Sequence, residues 1–118
     1  MEVQVMETMK RVLGDEHPDT LTSMANLALT YRNQGRWTEA EKMEVQVMET
    51  RKRVLGEEHP DTLNSMNNLA FTMKEEEKSM EAIKLMAECV QLRNRVLGTE
   101  HPDALSSAAA LAKWRDVK

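Results

Sequence analysis

Few residues in this chain have types and spacings that could do chemistry. His17, His59 and His101 each open a His-Pro-Asp triplet, and they lie 42 residues apart. Zinc ligands sit about 2.0–2.3 Å from their ion. One histidine per structural unit would place these three at least two helix widths apart, roughly 8–10 Å each, so no shared metal is expected. Cys89 lies in the stretch AECVQLR beside Val90 and Leu92 and reads as a buried free thiol. A cysteine nucleophile needs a His/Asp constellation beside it, and His101 is already explained by its recurrence. The chain has no Gly-rich phosphate loop, no GxSxG elbow and no HExxH. No catalytic residue, no cofactor-binding residue and no metal ligand is therefore expected. The basic run Arg51-Lys52-Arg53 sits between Glu49 and Glu57-Glu58 and reads as a solvated helix face with i,i+4 pairs.

Composition narrows the classes further. The chain has 118 residues and a net charge of −4, which argues against sequence-independent nucleic-acid binding. Its single cysteine cannot form an internal disulfide. No apolar run approaches the ~20 residues of a membrane span, and the N-terminus has no signal-peptide pattern. These readings predict a cytoplasmic protein with no nucleic-acid or membrane partner. Ten Met against one Phe point to an aliphatic, compliant interior.

What must position any functional residue is an internal repeat. Residues 1–14 read MEVQVMETMKRVLG and residues 43–56 read MEVQVMETRKRVLG. DEHPDTLTSMANLA at 15–28 returns as EEHPDTLNSMNNLA at 57–70, and a third copy, LGTEHPDALSSAAALA, runs over 97–112. Residues 1–42 and 43–84 share 28 of 42 positions. A fixed period of this size means stacked units, none of which can bury its apolar face alone.

Each period holds two amphipathic helices. Leu21, Met24, Leu27, Ala28 and Tyr31 form one helical stripe. Ala40, Met43 and Val47 form a second, with Val45, Met48 and Leu55 on another side, as suits a helix packed between two neighbours. Gly14, Gly56 and Gly98 suit helix C-termini needing positive φ, and Pro18, Pro60 and Pro102 suit the first turn of the next helix. Thr38 with Glu41 has capping-box spacing, and Ser79 suits an N-cap. Helices are predicted over 1–13, 18–34, 38–55, 60–75, 79–97 and 102–117, with no strands.

The stretch NLALTYRNQGRWTEAEK (26–42), followed by a long helix and LGEEHPDT, resembles a tetratricopeptide repeat of the 42-residue kinesin-light-chain type. The wording MEVQVMETRKRVLGEEHPDTL is similar to arrays at the C-terminal ends of fungal NLR-type (NACHT or NB-ARC) receptors. The resemblance covers essentially the whole chain. It implies an all-α fold, a right-handed αα superhelix of about six antiparallel helices. Its parts would be a second-type helix over 1–14, full repeats at about 15–56 and 57–98, and a first-type helix over 99–118. Asn26, Leu27, Ala28, Tyr31, Gly35, Trp37 and Ala40 match packing positions of the family in the first period. The second period replaces Tyr31, Gly35 and Trp37 by Met73, Glu77 and Ser79.

In such arrays the first-type helices line a concave groove. The resemblance places Leu29, Arg32 and Asn33 on it in the first period, then Asn64, Asn67, Phe71 and Lys74, then Lys113. Asn67 would satisfy a peptide backbone, the cations would hold acidic groups, and Leu29 and Phe71 would be apolar anchors. The expected function is a non-catalytic protein–protein interaction scaffold binding a protein or peptide, as a sensor or assembly module within a larger signalling receptor. The alternative is self-association through the terminal helices, as head-to-tail filaments or as dimers. In one variant of the dimer, residues 73–79 would fuse two helices into one and swap the C-terminal half between chains, although the ordinary hairpin is the expected form because Ser79 suits an N-cap.

Overall fold

The computed structural model describes residues 2–14 and 16–116. It contains six α-helices: α1 (Glu2–Leu13), α2 (Pro18–Asn33), α3 (Trp37–Leu55), α4 (Pro60–Glu75), α5 (Ser79–Leu97) and α6 (Pro102–Asp116). No strand occurs among the described residues. Each helix packs on its neighbours in sequence, giving an elongated stack of 44 × 30 × 20 Å.

Local chemistry accounts for the ends of these helices. Gly56 and Gly98 close α3 and α5 at φ 98°, ψ 160° and φ 94°, ψ 153°, a region essentially reserved for glycine. Four residues later the chain re-enters a helix through His-Pro-Asp. Nδ1 of His17, His59 and His101 accepts the backbone N–H of Asp19, Asp61 and Asp103 at 3.1, 3.0 and 3.1 Å. The triplet is thus a repeated N-cap, with proline where no N–H is needed and an aspartate beside the positive helix end. The expected capping box at Thr38 and Glu41 does not form. Arg36 is the N-cap residue of α3 without a side-chain cap bond, and Glu41 instead accepts from Lys78 of the next hairpin at 2.8 Å. Ser79 likewise is the first residue of α5 rather than its cap, which is Lys78.

The segment 73–79 does not fuse into one helix: α4 ends at Glu75, α5 starts at Ser79, and residues 76–78 form a turn between them. It follows the path of the Gly35 turn, so Glu77 takes φ 66° where Gly35 has φ 76°. Met73, Lys74 and Lys78 make the same closing bonds as their counterparts Tyr31, Arg32 and Arg36: Lys78 N–H donates to the Met73 carbonyl at 2.9 Å, as Arg36 N–H does to Tyr31 at 2.8 Å.

The amphipathic stripes become the core. Leu21, Met24, Leu27 and Ala28 are buried and Tyr31 is half-buried, with Arg36 stacked 4.5 Å above its ring. Buried apolar residues gather in two clusters, one of Met6, Leu21, Met24, Leu27 and Val47, the other centred on Leu63, Met66, Met86, Cys89, Leu111 and Trp114. Cys89 is a free, buried thiol whose pKa burial raises.

Candidate partner-binding face

The first-type helices are α2, α4 and α6, and the expected face residues recur along them at helical spacing. On α2, Leu29 is 40% exposed and Asn33 is exposed. Arg32 is half-buried, its guanidinium 4.0 Å from a Glu44 carboxylate oxygen on α3. On α4, Asn64, Asn67, Phe71 and Lys74 fall at i, i+3, i+7 and i+10, one helical face. Lys113 is exposed on α6.

Several of these side chains are already engaged within the chain. Asn64 Oδ1 accepts from Arg93 Nη2 at 2.7 Å, and Asn67 Oδ1 accepts from the Ser107 hydroxyl at 2.8 Å. Ser107 in turn accepts from Arg93 Nη1 at 2.7 Å, so the protons run in one direction from Arg93 through Ser107 to Asn67. With each amide oxygen already accepting one bond, the larger capacity left to Asn64 and Asn67 is in their NH₂ groups, which are donors. Phe71 is half-buried and meets Trp114 edge-on, with centroids 5.1 Å apart and planes at 81°. Lys74 Nζ donates to Ser79 Oγ at 3.4 Å. The structure thus joins Asn67 and Phe71 to α6 and Asn64 to Arg93 on α5, while Leu29, Asn33 and Lys113 are exposed.

The residues behind this face were missed by sequence reasoning, although a register signal existed. Met9, Arg51 and Arg93 occupy one repeat position, and Ser23, Ser65 and Ser107 another. In the structure each pair meets across a junction. The Ser23 hydroxyl donates to the Met9 sulfur at 2.9 Å, Arg51 Nη1 donates to Ser65 Oγ at 2.9 Å, and Arg93 donates to Ser107. Arg51 therefore does not belong to a solvated face, because it turns into the α3–α4 junction. Its neighbours pair elsewhere than at i,i+4: Lys52 with Glu57 at 3.6 Å and Arg53 with Glu16. Arg95 repeats the latter pairing one unit on, with Glu58 at 2.6 Å.

A second missed residue is Glu44, 4% exposed at the repeat position of fully buried Met86. Burial is the main cause raising its pKa from 4.5 to about 7, and the Thr72 hydroxyl and Arg32 only partly oppose it. Among the described residues no three His, Cys, Asp or Glu side chains converge as metal ligands, and no helix is long and apolar enough to cross a membrane.

Comparison with known proteins fits this architecture. The tetratricopeptide repeat family model matches residues 20–61 and 62–103, two consecutive units of the same 42-residue period. The crystal structure of kinesin-light-chain-type, nearly identical TPR-like repeats from Podosopora anserina superposes with a TM-score of 0.90 at 32% identity, covering 96% of this chain and 54% of that one. A single-substitution variant of that Podosopora anserina protein gives the same score and identity, with 53% of that chain covered. BtubC (BKLC) from P. vanneervenii shares the fold with a TM-score of 0.82 at 18% identity, over 97% of this chain and 47% of that one. The chain thus spans about half the length of these relatives. No curated protein sequence matches it. With two family units laid end to end over most of its length, and the same stacked hairpins in its solved relatives, the chain belongs to the tetratricopeptide repeat family.

Proposed function

We propose that the chain is a non-catalytic binding module whose α2–α4–α6 face takes an extended peptide or a protein segment. Tetratricopeptide repeats generally bind proteins or peptides, and the observation that carries the finer reading is the state of Asn64 and Asn67. Their oxygens are held from behind by Arg93 and Ser107, so their NH₂ groups are available to carbonyl or carboxylate oxygens of a ligand. Leu29, exposed on α2, offers apolar contact, and Arg32, Lys74 and Lys113 favour an acidic ligand. The module would work in the cytoplasm as the sensing part of a larger NLR-type signalling receptor. A displayed peptide library screened against the chain tests this. Asn64→Ala with Asn67→Ala should lose the selected peptides by at least tenfold in Kd while helicity is kept. Unchanged affinity in that double variant would remove the face assignment.

Self-association is a second reading, favoured by one observation. Leu21 and Leu63 are 2% and 1% exposed, whereas their repeat counterpart Leu105 is 50% exposed. A second-type helix covers this position in the earlier units, and a second copy could supply one. Light scattering across concentration decides it: a monomer at every concentration would sink this reading, and Leu105→Glu should abolish any larger species.

A further inference from the structure

The apolar interior changes character at the seam between α3 and α4. On one side lies the cluster of Leu21, Met24, Leu27 and Val47, on the other that of Leu63, Met66 and Met86. Between them, in place of a methionine, stands Glu44. One of its carboxylate oxygens is buried without any hydrogen-bond partner. A cavity of about 10 Å³ lies against it, lined by Ala25, Val47, Ser65 and Asn68.

Charged groups from every adjoining element face this seam. Arg32 comes from α2, 4.0 Å from Glu44. Glu41 lies one turn before Glu44 on α3. Across the seam, Glu76 follows α4, with one buried oxygen that has no partner, and Lys78 in the same turn donates to Glu41 at 2.8 Å. Glu81 on α5 faces Lys78. Glu41 and Glu76 lie near enough for each to shift the other, Glu76 upward and Glu41 downward. Three carboxyl groups thus meet two cations; Glu44 among them is buried, whereas Glu41, Glu76 and Lys78 are partly open to water.

We propose that the α3–α4 seam is a proton-operated joint: with a proton on Glu44 the two hairpins close on each other, and loss of that proton loosens them. Removing the proton leaves a buried negative charge that Arg32, 4.0 Å away, only partly offsets. The titration range agrees. Burial pushes Glu44 to about 7, and burial together with Glu41 pushes Glu76 to about 7, while Glu76 and Lys78 hold Glu41 low. The sign follows from linkage. A folded pKa above the unfolded 4.5 means that the closed seam binds more protons, so its stability is full below about 4.5 and is lost as pH rises through about 7. Glu41, shifted the other way, opposes this and reduces the net effect. Because α2 and α4 lie on opposite sides of the seam, the same proton governs how firmly two parts of the binding face are held together.

Amide hydrogen exchange of the intact chain, corrected for the intrinsic pH dependence of exchange, tests the joint. For Glu44 alone, protection at the seam in α3 and α4 should fall by roughly 70-fold at most between pH 5 and pH 8. The fall should be much smaller in Glu44→Gln and Glu44→Met. A carboxyl-carbon NMR titration of the unaltered chain should place the Glu44 midpoint near neutrality, which decides the matter even where a variant does not fold. A midpoint near 4.5, or the same pH profile in the wild type and both variants, would overturn the proposal.

Discussion

Replacing Arg93 by methionine should cost about 2 kcal/mol, and the same change at Arg51 should cost half of that or less. The chain itself motivates the pair, since its first junction already carries Met9 at this repeat position. Arg93 is 5% exposed and donates to the Asp103 carbonyl at 3.1 Å, to Ser107 Oγ at 2.7 Å and to Asn64 Oδ1 at 2.7 Å. Hydrogen bonds to a charged group contribute about 1.5–3 kcal/mol each where the abandoned partner stays dry. Asn64 is exposed and recovers water, and Ser107 keeps its bond to Asn67, so the three bonds do not add at full value. Sparing a guanidinium its desolvation, and burying a thioether instead, offsets a further part. Those corrections leave about 2 kcal/mol. Arg51 is half-buried and donates to Asp61 O at 3.3 Å and Ser65 Oγ at 2.9 Å. Ser65 also donates to the Asp61 carbonyl, so each partner retains a bond and the loss should be about 0.5–1 kcal/mol. Urea unfolding followed by circular dichroism resolves the difference, because slopes of about 1–2 kcal/mol/M turn it into most of a molar shift in midpoint. A double-mutant cycle of Arg93→Met with Ser107→Ala should show coupling of about 1 kcal/mol. Equal costs at Arg93 and Arg51, or additive changes in the cycle, would refute the argument that the buried Arg93–Ser107–Asn67 chain holds α5 to α6.

Two further outcomes test the turns. Glu77→Gly should stabilise the chain by about 0.5–1 kcal/mol, since relief of the left-handed backbone exceeds the added flexibility of the unfolded state. Glu77→Gln is its control, and an equal gain there in thermal unfolding would assign the effect to charge instead. His59→Ala should cost about 1 kcal/mol in urea unfolding by leaving the Asp61 N–H without its cap, and an unchanged midpoint would show that proline alone sets the start of α4.

The helices were legible because their punctuation is written three times. Gly-x-x-His-Pro-Asp leaves the chain little choice about where α3 and α5 end or where α4 and α6 begin, and those bounds match the sequence reading. The stripe from Leu21 to Ala28 was legible for the same reason, since period and burial agree. Capping was misread where a local pattern competed with a distant partner: Thr38 and Glu41 have the right spacing, but Glu41 is drawn to a lysine 37 residues away. The basic triplet failed similarly. Arg51, Lys52 and Arg53 are equivalent in sequence, and only the side that faces α4 decides that Arg51 turns inward. Glu44 was hidden by its own repetition, since Glu2 stands at the same place in the first unit and makes the residue look like an ordinary surface acid. Its contrast with Met86 acquires meaning only once that position is known to be inside.

The cross-unit pairs carry a consequence for copy number. Glu16 meets Arg53 and Glu58 meets Arg95, each partner 37 residues downstream in the same geometry. Excising residues 43–84 would hand Glu16 the arginine that now serves Glu58, and inserting another such block would extend the series without a mismatched end. Gain or loss of whole 42-residue blocks, as by unequal exchange between near-identical stretches of coding sequence, should therefore change the length of the array while leaving its seams intact. Only the Glu44–Glu76 seam, written once, would be gained or lost with its block.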